Sequence, residues 1–192
     1  MLIYIHGFAS SAHGTKAQQM RDWCKKEGIP FIAPTLPYIP ELAIDTLHDL
    51  VVSYQKLGEP VALIGSSLGG FYATWLGHHF NLPYVLINPA AEAWLSLEKA
   101  EGLVENYHDG ARFEWTHQHS RSLETYRVDN PETSKCLLLL QTGDEVLDYN
   151  KALKAYTHAE TILEEGGDHS FQGFENHLKT ITDFCRKNTV SG

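Results

Sequence analysis

The chain has 192 residues, 43% of them hydrophobic, with a net charge of -9 and an isoelectric point near 5.6. That size suits one domain with a sizeable core spanning residues 1–192. An acidic balance without clustered Lys and Arg argues against a nucleic-acid partner, and three cysteines with no C-x-x-C spacing read as reduced thiols of a cytoplasmic protein.

The first eight residues, MLIYIHGF, open with an apolar strand over about 2–5 and end in His6-Gly7-Phe8. With no basic n-region and only a short apolar run, the segment reads as neither a signal peptide nor a membrane span. A helical pattern over 16–25 follows, then a short strand near 30–33. A second helix carries Leu42, Ile44, Leu47, Leu50, Val51 and Tyr54 on one apolar face.

The apolar run Val61-Ala62-Leu63-Ile64 leads directly into Gly65-Ser66-Ser67-Leu68-Gly69, a G-x-S-x-G run. Read as strand, tight turn and helix, this is a nucleophile elbow, in which small neighbours let strand and helix pass closely and lift the serine hydroxyl clear of the sheet. Ser67 is the serine at that position, and the helix continues through Leu76. The motif alone is suggestive; its company gives it weight.

A fourth strand is expected at 84–88. From about 93 to 131 the chain carries Trp94, Tyr107, Phe113, Trp115 and Tyr126 with little sustained periodicity, so this stretch is expected to form a small cap-like insertion over the site. A surface excursion that merely packs on the sheet is the alternative. Strands at 136–141 and 161–164 end in Gln141-Thr142-Gly143-Asp144 and, beyond Glu165, in Gly166-Gly167-Asp168-His169. A final helix is expected along Phe171, Phe174, Leu178, Ile181 and Phe184, and the tail 187–192 is expected to be loose.

Alternating strands and helices imply a three-layer αβα sandwich on a parallel sheet. Ser, Asp, His is the chain order of α/β-hydrolases, and each candidate falls just past the carboxyl end of a strand, where open α/β sheets bind ligands. Because the strand ending in His6-Gly7-Phe8 opens the sequence, a sheet without the two antiparallel strands that usually precede it in α/β-hydrolases is expected. A reduced α/β-hydrolase fold with six parallel strands in the order 4-3-5-6-7-8 is therefore expected.

In that frame Ser67 is the nucleophile, His169 its general base and Asp144 the carboxylate that orients the imidazole. Backbone N–H groups of Phe8 and Leu68 would meet the oxyanion. Asp148 is an alternative to Asp144, although its place before Tyr149-Asn150-Lys151 also reads as a helix N-cap. His6 is expected to shape the first loop. His117-Gln118-His119 and His78-His79 lack zinc-ligand spacing, so no metal is expected, and no phosphate-binding loop is present.

The chain resembles the small bacterial α/β-fold hydrolases of the YqiA esterase type. The resemblance runs almost end to end through YIHGFASS, IGSSLGGFYATWL, INPA, LLLLQTGDEVLDY and EGGDHSFQGFE. It implies an intracellular serine esterase or thioesterase without metal or organic cofactor, using Ser67, Asp144 and His169 on a small acyl substrate. Asp168 departs from the asparagine expected before the histidine, and a carboxylate there would act on the imidazole if it faced the ring. A hydrolase-fold binding or regulatory module, a peptidase and a carbon–carbon hydrolase are the competing readings. The acidic net charge favours recognition of the acyl part over any phosphate-bearing leaving group, with the aromatic segment, Trp115 included, as the acyl pocket.

Overall fold

The computed structural model describes residues 1–189. Six parallel strands, β1 (Leu2–Ile5), β2 (Phe31–Ile32), β3 (Ala62–Ser66), β4 (Tyr84–Ile87), β7 (Cys136–Gln141) and β8 (Glu160–Glu164), form one sheet in the order β2-β1-β3-β4-β7-β8. This is the expected 4-3-5-6-7-8 order. The four inner strands are buried along their whole length, which explains why their sequences are continuous apolar runs rather than alternating ones.

Strand side chains alternate between faces, and this alternation splits the core into two layers. Ile3, Ile5, Leu63, Leu86, Leu138 and Leu140 point to one face, where α2 (Pro40–Lys56), α3 (Leu68–Phe80) and α6 (Tyr149–Ala155) pack. Leu2, Tyr4, Ile64, Val85, Leu137 and Leu139 point to the other, against α1 (Thr15–Glu27) and α7 (Leu178–Thr189). The apolar stripe Ala17, Met20 and Cys24 seats α1, and Leu178, Ile181, Phe184 and Cys185 seat α7. Each fully buried Leu, Ile or Phe contributes about 1.5–3 kcal/mol, so the inner strands supply much of the fold's stability. Edge strand β8 carries Glu160 and Glu164, charges that discourage pairing with another chain.

The stretch between β4 and β7 is more ordered than its lack of periodicity suggests. It contains α4 (Ala93–Ser96), a hairpin of β5 (Gly102–Glu105) and β6 (Arg112–Trp115), and α5 (His117–Glu124). Thr116 caps α5 by accepting the His119 N–H, while the His119 ring takes the Thr116 N–H. Long-range aromatic contacts secure the hairpin: Phe8 meets Trp115 edge-on at 4.8 Å and Phe113 at 5.8 Å, and Tyr38 stacks on Phe113.

Two expectations about the chain's end are corrected. Phe171 is not on the last helix: it sits at φ 63° in a turn, Gly173 at φ 70° follows, and only then do a 3₁₀ turn at Phe174–His177 and α7 begin. The expected loose tail instead continues α7 through Thr189, and 190–192 lie outside the described residues. Cys24, Cys136 and Cys185 are free and buried. Among the described residues, no helix is long and apolar enough to cross a membrane.

Candidate active site

Ser67 stands between β3 and α3 at φ 55° and ψ -121°, a conformation that a non-glycine residue adopts only when its surroundings hold it. Its N–H donates to Ile87 O and its carbonyl accepts from the Ala90 N–H, tying the turn to the end of β4. The flanking glycines are required by contact. A Cβ on Gly65 would lie 2.2 Å from Gly69 O, and one on Gly69 would lie 2.0 Å from Ile5 O, so neither position has room for a side chain.

From this turn Ser67 Oγ lies 3.0 Å from His169 Nε2, and His169 Nδ1 lies 2.8 Å from Asp144 Oδ2. The three residues come from the ends of β3, β7 and β8, so the sheet brings together groups 102 and 25 residues apart in the chain. The Asp144 side chain is only 2% exposed, and its other oxygen accepts the Val146 and Leu147 N–H groups at 2.9 and 2.8 Å. Such bonding fixes the direction of the carboxylate. Asp148 is elsewhere: it caps α6 by accepting the Asn150 N–H, in solvent. The Asp168 carboxylate turns to Ser170 Oγ and Gln172 Nε2 rather than to the His169 ring, and these bonds hold it below the usual aspartate range.

Leu68 is the first residue of α3, where backbone N–H groups lack an intrahelical acceptor. Gly7 lies against the serine, since a Cβ there would sit 3.1 Å from Ser67 Cβ, and Phe8 follows it. His6 governs this loop. The Leu36 N–H donates to His6 Nε2 at 2.9 Å, so Nδ1 carries the proton and donates to Gly7 O at 2.8 Å. In a trans peptide the carbonyl and the next N–H point opposite ways, so fixing Gly7 O also aims the Phe8 N–H.

Burial holds His6 below the ordinary histidine range. A depressed folded-state value means that its contribution is complete above the ordinary value and is lost as pH falls through the folded one, because protonation removes the acceptor for Leu36. Urea unfolding should therefore show stability declining from about pH 7 to about pH 5, with a smaller decline in His6→Asn. Equal declines in the two proteins would exclude His6 as a source.

Two buried amides that sequence reasoning passed over hold the histidine loop. Asn88, at the end of β4, accepts the Gln141 N–H and donates to Asp168 O and His169 O. Gln141, at the end of β7, accepts the Asp168 and Gln172 N–H groups and donates to Gln172 O and Glu164. Their signal was available: each is a polar residue closing an otherwise apolar strand.

A cleft of about 740 Å³ opens onto Ser67 and His169. The insertion contributes Ser96, Leu97 and Tyr107 to its lining, beside Phe8, Val146 and Leu147. Trp115 is not among them. It is 1% exposed, with its indole N–H donated to Leu97 O and Ser120 Oγ, so it is a core residue and the expectation that it lines the pocket is corrected. His117 pairs with Glu101, and among the described residues no cluster of three or more His, Cys, Asp or Glu is arranged to hold a metal.

Known proteins agree with this architecture. Est1E from Butyrivibrio proteoclasticus, solved with ferulic acid bound, superposes with a TM-score of 0.80 at 15% identity, covering 99% of this chain and 89% of that one. A monoacylglycerol lipase of Paleococcus ferrophilus gives 0.71 at 14% identity, covering 97% and 94%. At such identities these likenesses establish the α/β-hydrolase fold and no more. In sequence, a UPF0227 protein of Serratia proteamaculans is 26% identical over 193 residues, covering 96% of this chain and 98% of its own. The Uncharacterised protein family (UPF0227) matches residues 1–186, and with nearly the whole sequence inside that match, the chain belongs to the UPF0227 family.

Proposed function

We propose that this chain is a serine hydrolase that cleaves carboxylic esters or thioesters through an acyl-enzyme. The observation that carries the reading is the unbroken hydrogen-bonded row Ser67–His169–Asp144, of which Ser67 and His169 line the cleft. His169 takes the Ser67 proton as Oγ attacks the acyl carbon, the Phe8 and Leu68 N–H groups receive the oxyanion, and His169 then protonates the leaving group. Water, activated by the same imidazole, releases the acid. Fluorophosphonate labelling followed by peptide mapping tests the reading; modification at Ser67 is expected, and a folded protein that resists labelling would overturn it.

The insertion acts as a cap whose contribution to substrate choice is Leu97 and Tyr107. Together with Phe8, Val146 and Leu147 they offer an apolar wall for the acyl chain. Each added methylene is worth about 0.8 kcal/mol until that wall is covered, so nitrophenyl ester turnover should rise with chain length and then level off. Leu97→Ala should move the optimum. Trp115→Ala should instead cost about 3–5 kcal/mol of stability, as expected of a core residue. A profile that is flat in the parent protein would exclude this wall as the acyl site.

A further inference from the structure

Lys16 is the one lysine or arginine among the described residues lining the cleft, and it has no direct counter-ion there. The residue is half-buried, and its ammonium donates to a neutral acceptor, Ser170 O, at 2.7 Å. The neighbouring carboxylates are otherwise engaged. Asp168 accepts from Ser170 and Gln172, Asp144 from His169, Val146 and Leu147, Glu145 from the His169 N–H, and Glu175 from the Gln19 amide. Asp168 and Asp144 act on Lys16 only through space, and burial outweighs them, holding the amine below the ordinary lysine range. A cation drawn partly out of water without an ion partner is costly unless a ligand supplies the missing charge.

The position of Lys16 says which part of a ligand it would meet. Its partner Ser170 directly follows His169, and a leaving oxygen must come within reach of His169 Nε2 to receive its proton. The wall on that side is polar, with Lys16, Gln19 and Gln172, in contrast to the apolar wall of Leu97, Val146 and Leu147. Glu145 and Glu175 also line the cleft, so a dianionic phosphate would meet two like charges for one cation, whereas a carboxylate brings a single charge.

We infer that Lys16 binds a carboxylate on the leaving-group side of the cleft, making the substrate an ester of a hydroxy acid. The inference rests on the proposed function for its reaction but not for its binding site. The acyl carbon–oxygen bond breaks as Ser67 Oγ bonds to that carbon, the departing oxygen takes the proton from His169, and the hydroxy acid leaves with its carboxylate on Lys16.

Calorimetry with para-hydroxymethylbenzoate and its neutral carboxamide analogue tests the site, and turnover of the acetate esters of the two tests the reaction. The carboxylate should be preferred about tenfold in both measurements, and Lys16→Gln, which keeps a donor for Ser170 O, should bring both ratios to about one. Lys16→Arg should retain a preference. A role for Lys16 in merely pinning the loop would slow both esters together and leave the ratio unchanged. Equal binding of the two probes by the parent, or a ratio unmoved in Lys16→Gln, overturns the inference. Discrimination in binding with neither ester cleaved would instead support the site and count against the proposed hydrolysis.

Discussion

Ser67→Ala is expected to abolish fluorophosphonate labelling and to lower turnover of an activated ester on the order of 10⁵-fold or more, the loss seen when a member of a cooperating triad is removed. The fold should survive. Alanine tolerates φ 55° about as well as serine does, and the Ser67 contacts to Ile87 and Ala90 are made by the backbone, which the substitution leaves in place. Unfolding midpoints for the two proteins should therefore nearly coincide, so that lost activity reports chemistry. Labelling of a different serine in well-folded Ser67→Ala would reassign the nucleophile. Retained turnover without labelling would point to water acting directly.

The second large effect separates Asp144 from Asp148. In Asp144→Asn the amide oxygen can still accept from Val146 and Leu147, which leaves the amide NH₂ facing His169 Nδ1. Nδ1 then becomes an acceptor and the proton moves to Nε2, the wrong tautomer for drawing a proton from Ser67. Turnover should fall by roughly 10²–10⁴. Asp148→Ala should instead remove the α6 cap at a cost of about 1 kcal/mol and keep turnover. Ester hydrolysis and thermal unfolding, measured on both variants, decide the matter; activity lost in Asp148→Ala and kept in Asp144→Asn would exchange their roles.

What was legible in the sequence was whatever a local pattern determines. Buried parallel strands show as unbroken apolar runs, so β1, β3, β4 and β7 were readable, and motif order gave the sheet order. Ser67, Asp144 and His169 were picked out as strand-end residues, and the structure draws them within hydrogen-bond distance; their chemistry is what the labelling tests. The insertion was opaque because contacts distant in sequence stabilise it: Trp115 reads as an acyl-pocket aromatic until Phe8, over a hundred residues earlier, is placed beside it. Phe171, Phe174 and Leu178 have helical spacing, but Gly173 in a left-handed conformation breaks the register. Asn88 and Gln141 look like incidental polar residues until the histidine loop folds around them.

Phe8 belongs to two assemblies at once. Its side chain packs on Phe113 and Trp115 of the hairpin, while the preceding Gly7 lies against Ser67 at the elbow, and the hairpin grips the same loop through Tyr107 N–H to Ala9 O and Asn106 to Ser10 O. The hairpin is therefore not a freely exchangeable module. A graft from a relative with a different insertion would carry new specificity only if it also brought an aromatic seat for residue 8 and donors for residues 9 and 10. A substitution on either side of this contact therefore has to be matched by one on the other.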